Sequence, residues 1–212
     1  MVFLRIPPPL VPKEFYSRLP HLILLQGPVG PAFMRIAEHF ESIGWHVTHV
    51  TFNAGDVLFS HKRHRVRFSG SLSQWEETLE ALLGTHNDTK VLYFGCERPA
   101  HKLAAEICKS RGIKAWSLEE GYIRPGFVTV ERYGNNANSP IAGQLPNISS
   151  QYPDIQKTNY RGAKWMWWYA FLYYNARGLF SRRSDKALYH KNVSLLKSAF
   201  TFTRNGFRMR YA

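Results

Sequence analysis

The sequence predicts an α/β fold: a parallel sheet with helices on both faces, followed by a basic, aromatic, mainly helical C-terminal segment. Three observations predict it. Short apolar or alternating runs recur at 21–26, 46–52, 90–95 and 113–118. Segments with helical spacing separate them. Most of the Gly-Pro, Asp and paired-Glu punctuation lies in the short segments that follow the runs. The resulting β-α-β-α-β-α-β order is that of a Rossmann-like sheet. The expected organisation is an N-terminal extension at 1–20, a Rossmann-like domain at 21–150 and a basic aromatic helical segment at 151–212.

Each element has its own warrant. "HLILLQ" (21–26) is a short apolar run ended by "GPVGP", a buried strand followed by a turn. In "AFMRIAEHFESIG" (32–44), Phe33, Ile36, Ala37, Phe40 and Ile43 share one helical face and Gly44 supplies a C-terminal stop. "HVTHVTF" (46–52) alternates and is rich in β-branched residues. "SQWEETLEALLG" opens with Ser73 and Glu76 at capping-box spacing. "KVLYFG" (90–95) is the third strand, and "PAHKLAAEICKSRG" (99–112) is a helix with Pro99 in its first turn and Gly112 at its end. "IKAWSL" (113–118) is the fourth strand. Beyond residue 126, "FVTVERYGNNANSP" reads as a short strand plus a Gly/Asn loop, and 160–180 reads as helix.

Charge is uneven. Residues 1–150 hold 16 Lys/Arg against 13 Asp/Glu, and residues 151–212 hold 12 against 2. Such a tail suits anionic lipid headgroups, nucleic acid or an acidic partner, and charge alone does not choose among them. The basic cluster "HKRHRVR" (61–67) lacks the interleaved aromatics of a nucleic-acid stripe and reads as a solvated loop. The tail does mix aromatics and cations, but "WMWWYAFLYY" (165–174) is apolar around most of a helix, which points to burial or a membrane surface. That run is far below the roughly 20 residues needed to span a bilayer. The opening "MVFLRIPPPLVPKEFY" has too short an apolar stretch for a secretory leader. Cys96 and Cys108 form no disulfide framework and no metal spacing, so a reducing, cytoplasmic setting is expected.

In open α/β sheets, ligands bind beyond the carboxyl ends of the strands. That rule selects Gln26–Pro31, Asn53–Asp56, Gly95–His101 and Glu119–Pro125. "QGPVGP", with Gln26, Gly27 and Gly30, is neither a dinucleotide fingerprint nor a P-loop; it is a tight turn or a backbone cradle for an anion. Asn53 and Asp56 in "FNAGD" are turn formers or polar ligands. "GCERPAH" sets Arg98, suited to a carboxylate or phosphate, beside His101, a candidate acid. Glu119 and Glu120 follow the fourth strand, where neighbouring side chains point to opposite sides. One faces the cleft and the other is held by a neighbour such as Arg124, unless the group is simply a loop ion pair.

Together, "LLQGPVGPAF", "VTFNAGD", "YFGCERPAHK" and "LEEGYIRPGFVTVERYGNNANSP" resemble the ordered motifs of the capsule polysaccharide biosynthesis and export family. "YHKN" (189–192) and "RNGFRMRY" (204–211) are similar to its later stretches. The resemblance implies the N-terminal half of a GT-B-like, retaining β-Kdo glycosyltransferase. The second domain, which would hold most of the donor nucleotide, is expected to be absent from this chain. The reaction implied is transfer of Kdo from CMP-Kdo to a lipid-linked acceptor through a covalent sugar adduct.

By motif position the resemblance makes Glu120 the nucleophile, with Glu119 as runner-up. Arg124, Arg98 and His101 would bind the Kdo carboxylate or assist the leaving group, and Asn136 and Ser139 would line the site. Two motifs depart from the family pattern: Cys96-Glu97 stands where Asp-Cys is usual, and Gly134-Asn135-Asn136-Ala137 where Gly-Val-Asn-Gly is usual. No cofactor and no metal are expected. The partners implied are CMP-Kdo, a lipid acceptor, an anionic membrane surface at the inner membrane and other capsule biosynthesis proteins, but no nucleic acid. The competing expectations are a non-catalytic scaffold in a capsule complex and, on charge alone, a nucleic-acid-binding protein.

Overall fold

The computed structural model describes residues 18–121, 127–144 and 162–181, together with Asp185, Leu188 and Arg204. The elements run β1 (His21–Leu25), α1 (Ala32–Ser42), β2 (His46–Thr51), α2 (Ala54–Leu58), β3 (Arg65–Arg67), α3 (Leu72–Leu83), β4 (Thr89–Phe94), α4 (Pro99–Ser110), β5 (Lys114–Glu120), β6 (Val128–Arg132), a 3-10 turn (Asn136–Asn138) and α5 (Ala163–Phe180). They build one six-stranded sheet in the order β3-β2-β1-β4-β5-β6. All neighbours are parallel except β5 and β6. The predicted α/β class and the four strands read from the sequence are all present.

Side-chain alternation along the strands feeds two cores. Ile23, Leu25, Val50, Val91, Tyr93 and Ala115 point to the face covered by α3 and α4, where they meet Trp75, Leu79, Ala104 and Cys108. Leu22, Leu24, Val47 and Leu118 point to the other face, against Phe33 and Ala37 of α1. Buried on both faces, β1 is apolar after its first residue, as a central parallel strand should be. Trp75 is fully buried, and its Nε1 donates to the Ala100 carbonyl at 3.0 Å, which ties α3 to α4 without an unpaired donor.

Three local expectations need correction. The capping box of α3 sits two residues upstream of Ser73 and Glu76: Ser71 accepts from the Gln74 N–H, and Gln74 accepts from the Ser71 N–H. Leu72 is helical, so the residue before it takes the cap. "HKRHRVR" is not wholly a loop, since Arg65–Arg67 forms the edge strand β3. There Arg67 pairs with the buried carboxylate of Asp185 at 3.1 Å, and Ser69 donates to the same group at 2.8 Å. Finally, Asn53–Asp56 does more than punctuate β2, because it opens the short helix α2.

The predicted helix at 160–180 is α5, and its apolar surface divides unevenly. Tyr173 is buried against α2, while Trp165, Trp167, Trp168, Phe171, Leu179 and Phe180 are exposed. No helix among the described residues is long and apolar enough to cross a membrane.

Candidate functional site

The sheet order reverses between β1 and β4, so the loops leaving these two strands diverge to opposite faces. The carboxyl edge at this reversal is the general ligand position of such sheets.

The loop after β1 is held in a strained shape. Gln26 adopts φ 56, a left-handed conformation costing about 1–2 kcal/mol for a residue with a side chain. Two hydrogen bonds hold it there: its N–H donates to the Val50 carbonyl at 2.9 Å and its Nε2 donates to Asp56 Oδ1 at 3.1 Å. Gly27 follows at φ 119, and a Cβ there would lie 2.9 Å from the Phe33 ring. Gly30, at φ 115, gives the same kind of clearance to Tyr169. α1 then starts at Pro31 with no side-chain cap.

The loop after β2 turns its polar groups inward. Asn53 Oδ1 caps α2 by accepting from Gly55 N–H at 2.8 Å and Asp56 N–H at 3.1 Å. Asp56 Oδ2 accepts from Phe52 N–H, Asn53 N–H and Asn53 Nδ2 at 2.9–3.1 Å. Its Oδ1 accepts from Tyr173 Oη at 2.7 Å and from Gln26. Burial pushes the Asp56 carboxyl above the usual carboxylate range, and these hydrogen bonds together with Arg98 pull against it. Five donors saturate the carboxylate. Asn53 and Asp56 therefore shape the loop and dock α5, the turn-former alternative for this motif. Ser181 Oγ adds an acceptor for the Ala54 N–H at 3.1 Å, and Tyr169 meets Phe59 edge-on at 5.5 Å. α5 is thus a wall over the loops after β1 and β2.

The loop after β4 carries the cation. Gly95, at φ 78, donates to the Leu118 carbonyl at 2.8 Å and so extends the sheet by one bond. Arg98 precedes Pro99 at the start of α4, whose first turn also lacks a side-chain cap. Its Nη1 is buried with no hydrogen-bond partner among the described residues. A buried guanidinium donor at the uncapped N-terminus of α4 is suited to an anion. His101, in contrast, is fully buried, and its Nδ1 donates to the Gly95 carbonyl at 2.7 Å. Burial first, then Arg98, pushes its imidazole down to about 3. A neutral ring packed on Tyr93 and Phe52 positions the loop; the predicted acid role does not fit that setting.

The paired glutamates lie inside β5 rather than after it. They oppose Thr129 and Val128 of β6, so they point to opposite faces of the sheet, as expected for neighbours in a strand. Glu119 is half-buried on the α3/α4 face, with Oε2 3.8 Å from where a Gly95 Cβ would stand. Glu120 is exposed on the α1 face. Arg124, the expected partner, lies outside the described residues.

The segment after β6 is bolted onto the β4 loop. Tyr93 Oη donates to the Tyr133 carbonyl at 2.8 Å, Cys96 Sγ donates to the Asn135 carbonyl at 3.5 Å, and Asn138 Nδ2 donates to Glu97. A cavity of about 250 Å³ lies beside this junction, lined by Glu97, Lys102, Glu106, Tyr133 and Asn138 among others. Asn136 is exposed at φ 55, and Ser139 Oγ donates to Glu131 Oε1 at 2.9 Å. The asparagine turned inward is Asn135: it is fully buried, and neither polar atom of its side chain has a hydrogen-bond partner among the described residues. Its place between Gly134 and Asn136 was the available signal, but the sequence alone does not say which of two adjacent asparagines turns in.

A family model described as "Capsule polysaccharide biosynthesis protein" matches residues 89–187, from the first residue of β4 past α5. Over these residues the chain is similar to that family. The chain is 34% identical over 143 residues to the capsule polysaccharide modification protein LipB of Neisseria meningitidis serogroup A and, equally, of serogroup B. It is 37% identical over 133 residues to the capsule polysaccharide export protein KpsS of Escherichia coli. These alignments take in 63–66% of this chain but only 34% of each relative. The capsule family match spans Arg98, Glu119, Glu120, Asn135, Asn136 and Ser139, while the strained β1 loop lies before it.

Proposed function

We propose that this chain serves capsule polysaccharide biosynthesis as the N-terminal part of a retaining glycosyltransferase that moves Kdo from CMP-Kdo to a lipid-linked acceptor. The names of the relatives support the biosynthetic role. One observation carries the reading: Arg98, with its buried Nη1 unpartnered among the described residues, starts α4 at the same carboxyl edge of the sheet where β5 ends in Glu119 and Glu120. Kdo and CMP are both anionic, which suits this cation and helix N-terminus. A carboxylate pair suits a double displacement.

In this reading Glu120 attacks the anomeric carbon, the bond to the CMP phosphate oxygen breaks, and its electron pair leaves with CMP. The acceptor hydroxyl then attacks the same carbon, gives its proton to solvent and displaces Glu120. Two inversions give retention. Half-buried Glu119 supports its neighbour from the other face, and His101 fixes the loop that presents Arg98.

The test incubates the chain with CMP-Kdo and a lipid acceptor, alone and joined to the remaining part that the relatives possess. Glu120→Gln should abolish transfer by the joined protein, and Glu119→Gln should slow it. Retained transfer by Glu120→Gln removes that residue from the nucleophile role. Absence of transfer by the joined wild type favours a scaffold.

A second observation supports a membrane partner. The exposed tryptophans of α5 adjoin a segment rich in Lys and Arg, a pairing suited to an anionic lipid surface. Sedimentation with anionic but not neutral vesicles is the expected result. Salt-sensitive binding to duplex DNA without vesicle binding would reverse this reading.

A further inference from the structure

The amino edge of the sheet, opposite the carboxyl edge, gathers histidines from three places in the chain. Parallel register sets His21, first in β1, beside His46, first in β2, and beside Thr89, first in β4. His86, in the turn before β4, lies over the same spot. Ring centroids are 5.0 Å apart for His21 and His46, 4.1 Å for His21 and His86, and 4.8 Å for His46 and His86. One ring nitrogen from each residue falls within 4.8 Å of the others. His64, just before β3, packs on His46 at 4.6 Å.

Hydrogen bonding prepares these rings to act as ligands. Thr85 Oγ1 donates to the Leu82 carbonyl at 2.7 Å, so toward His86 Nδ1, at 2.8 Å, it must accept. That places the proton on Nδ1 and leaves a lone pair on Nε2. This Nε2 is buried and has no hydrogen-bond partner among the described residues. His21 has Thr48 Oγ1 at 2.8 Å from Nε2 and Thr89 Oγ1 at a loose 3.4 Å from Nδ1. One hydroxyl can orient the ring while the other nitrogen turns to a ligand, the usual arrangement behind a metal-bound imidazole. The adjacent carboxylate, Asp88, is occupied by Lys90 at 2.7 Å.

We propose that His21, His46 and His86 form a binding site for a late first-row divalent cation, Zn2+ in the first place, with His64 or water at the fourth position. Three neutral nitrogens without an oxygen ligand favour Zn2+ over Mg2+ or Ca2+. Nitrogens sharing a tetrahedral zinc sit about 3.3 Å apart, from Zn–N bonds of about 2.0 Å, so ring rotations of modest size complete the site. The site lies about 15 Å from the carboxyl edge along the five residues of β1. It pins three strands together at their starts, independently of the proposed transfer chemistry.

Calorimetric titration of the untagged, metal-stripped chain with ZnCl2, alongside thermal unfolding, tests this. One equivalent should bind and raise the unfolding midpoint, MgCl2 should do neither, and Co2+ should give the intense visible bands of a tetrahedral site. Half-buried His86 tolerates truncation better than His21. His86→Ala should therefore fold, weaken Zn2+ at least about tenfold and lose the cobalt bands. Absence of stoichiometric Zn2+ binding by the wild type, or unchanged binding by both His86→Ala and His46→Ala, overturns the proposal.

Discussion

The two ends of this sheet solve the same problem differently. Both must cover polar groups where parallel strands begin or stop. At the carboxyl edge the chain uses a dense, charged, fully bonded network around Asp56, with a strained turn and an arginine beside it. At the amino edge it uses neutral imidazoles stacked on one another and braced by threonine hydroxyls. Acid therefore reaches buried histidines at both ends, whereas loss of a single carboxylate strikes only the carboxyl edge.

The largest expected effect comes from emptying the carboxyl-edge network. Asp56→Ala leaves Tyr173, Gln26, Asn53 and two backbone N–H groups without their acceptor, and should cost about 3–5 kcal/mol in urea denaturation. An effect under about 1 kcal/mol would mean that the network is not what fixes this edge.

Acid comes next, and it can compare the two ends directly. His21 at the amino edge and His101 beside the carboxyl edge are both pushed down to about 3, chiefly by burial, and His49 to about 4. Each binds fewer protons folded than unfolded. Their contribution is complete above the unfolded value of 6.5 and is lost as pH falls from there toward 3–4, at about 1.4 kcal/mol per pH unit for each. Denaturation midpoints measured from pH 7.5 to pH 5 should fall steeply, and His21→Gln or His101→Gln should each flatten the slope. A flat wild-type profile would show that the rings protonate without unfolding. The smallest effect is expected from Tyr173→Phe, which removes one hydrogen bond from Asp56 and leaves the ring in place. It should cost about 1–2 kcal/mol and make the α2–α5 junction more open to amide exchange.

Much of the fold was legible because it is written in local periodicity. Apolar runs such as "HLILLQ", the alternation of "HVTHVTF" and the Pro99 start of α4 each fix an element within a few residues. What escaped was short or non-local. α2 has five residues, too few to show a period, and β3 has three, of which only Val66 packs against the core. Gln26, Asn53, Arg98 and Glu120 do stand at or just after the carboxyl ends of strands, because strand ends can be located from strand positions. Their orientations cannot be located that way. Asp56 turns toward Tyr173, 117 positions away, and His101 turns into the core beneath Gly95. The histidines of the amino edge share no spacing, and sheet register together with the turn before β4 brings them together.

The strand order has one more consequence, for how the sheet meets other chains. Its two margins are unlike. On the β3 side the ladder ends in three residues, two of them arginine, with Asp185 clamped over Arg67, so another strand finds little backbone to copy. On the β6 side an antiparallel ribbon shows Val128, Val130 and Arg132 to solvent along its exposed face. Among the described residues, β6 is therefore the margin with the longer run of backbone to copy.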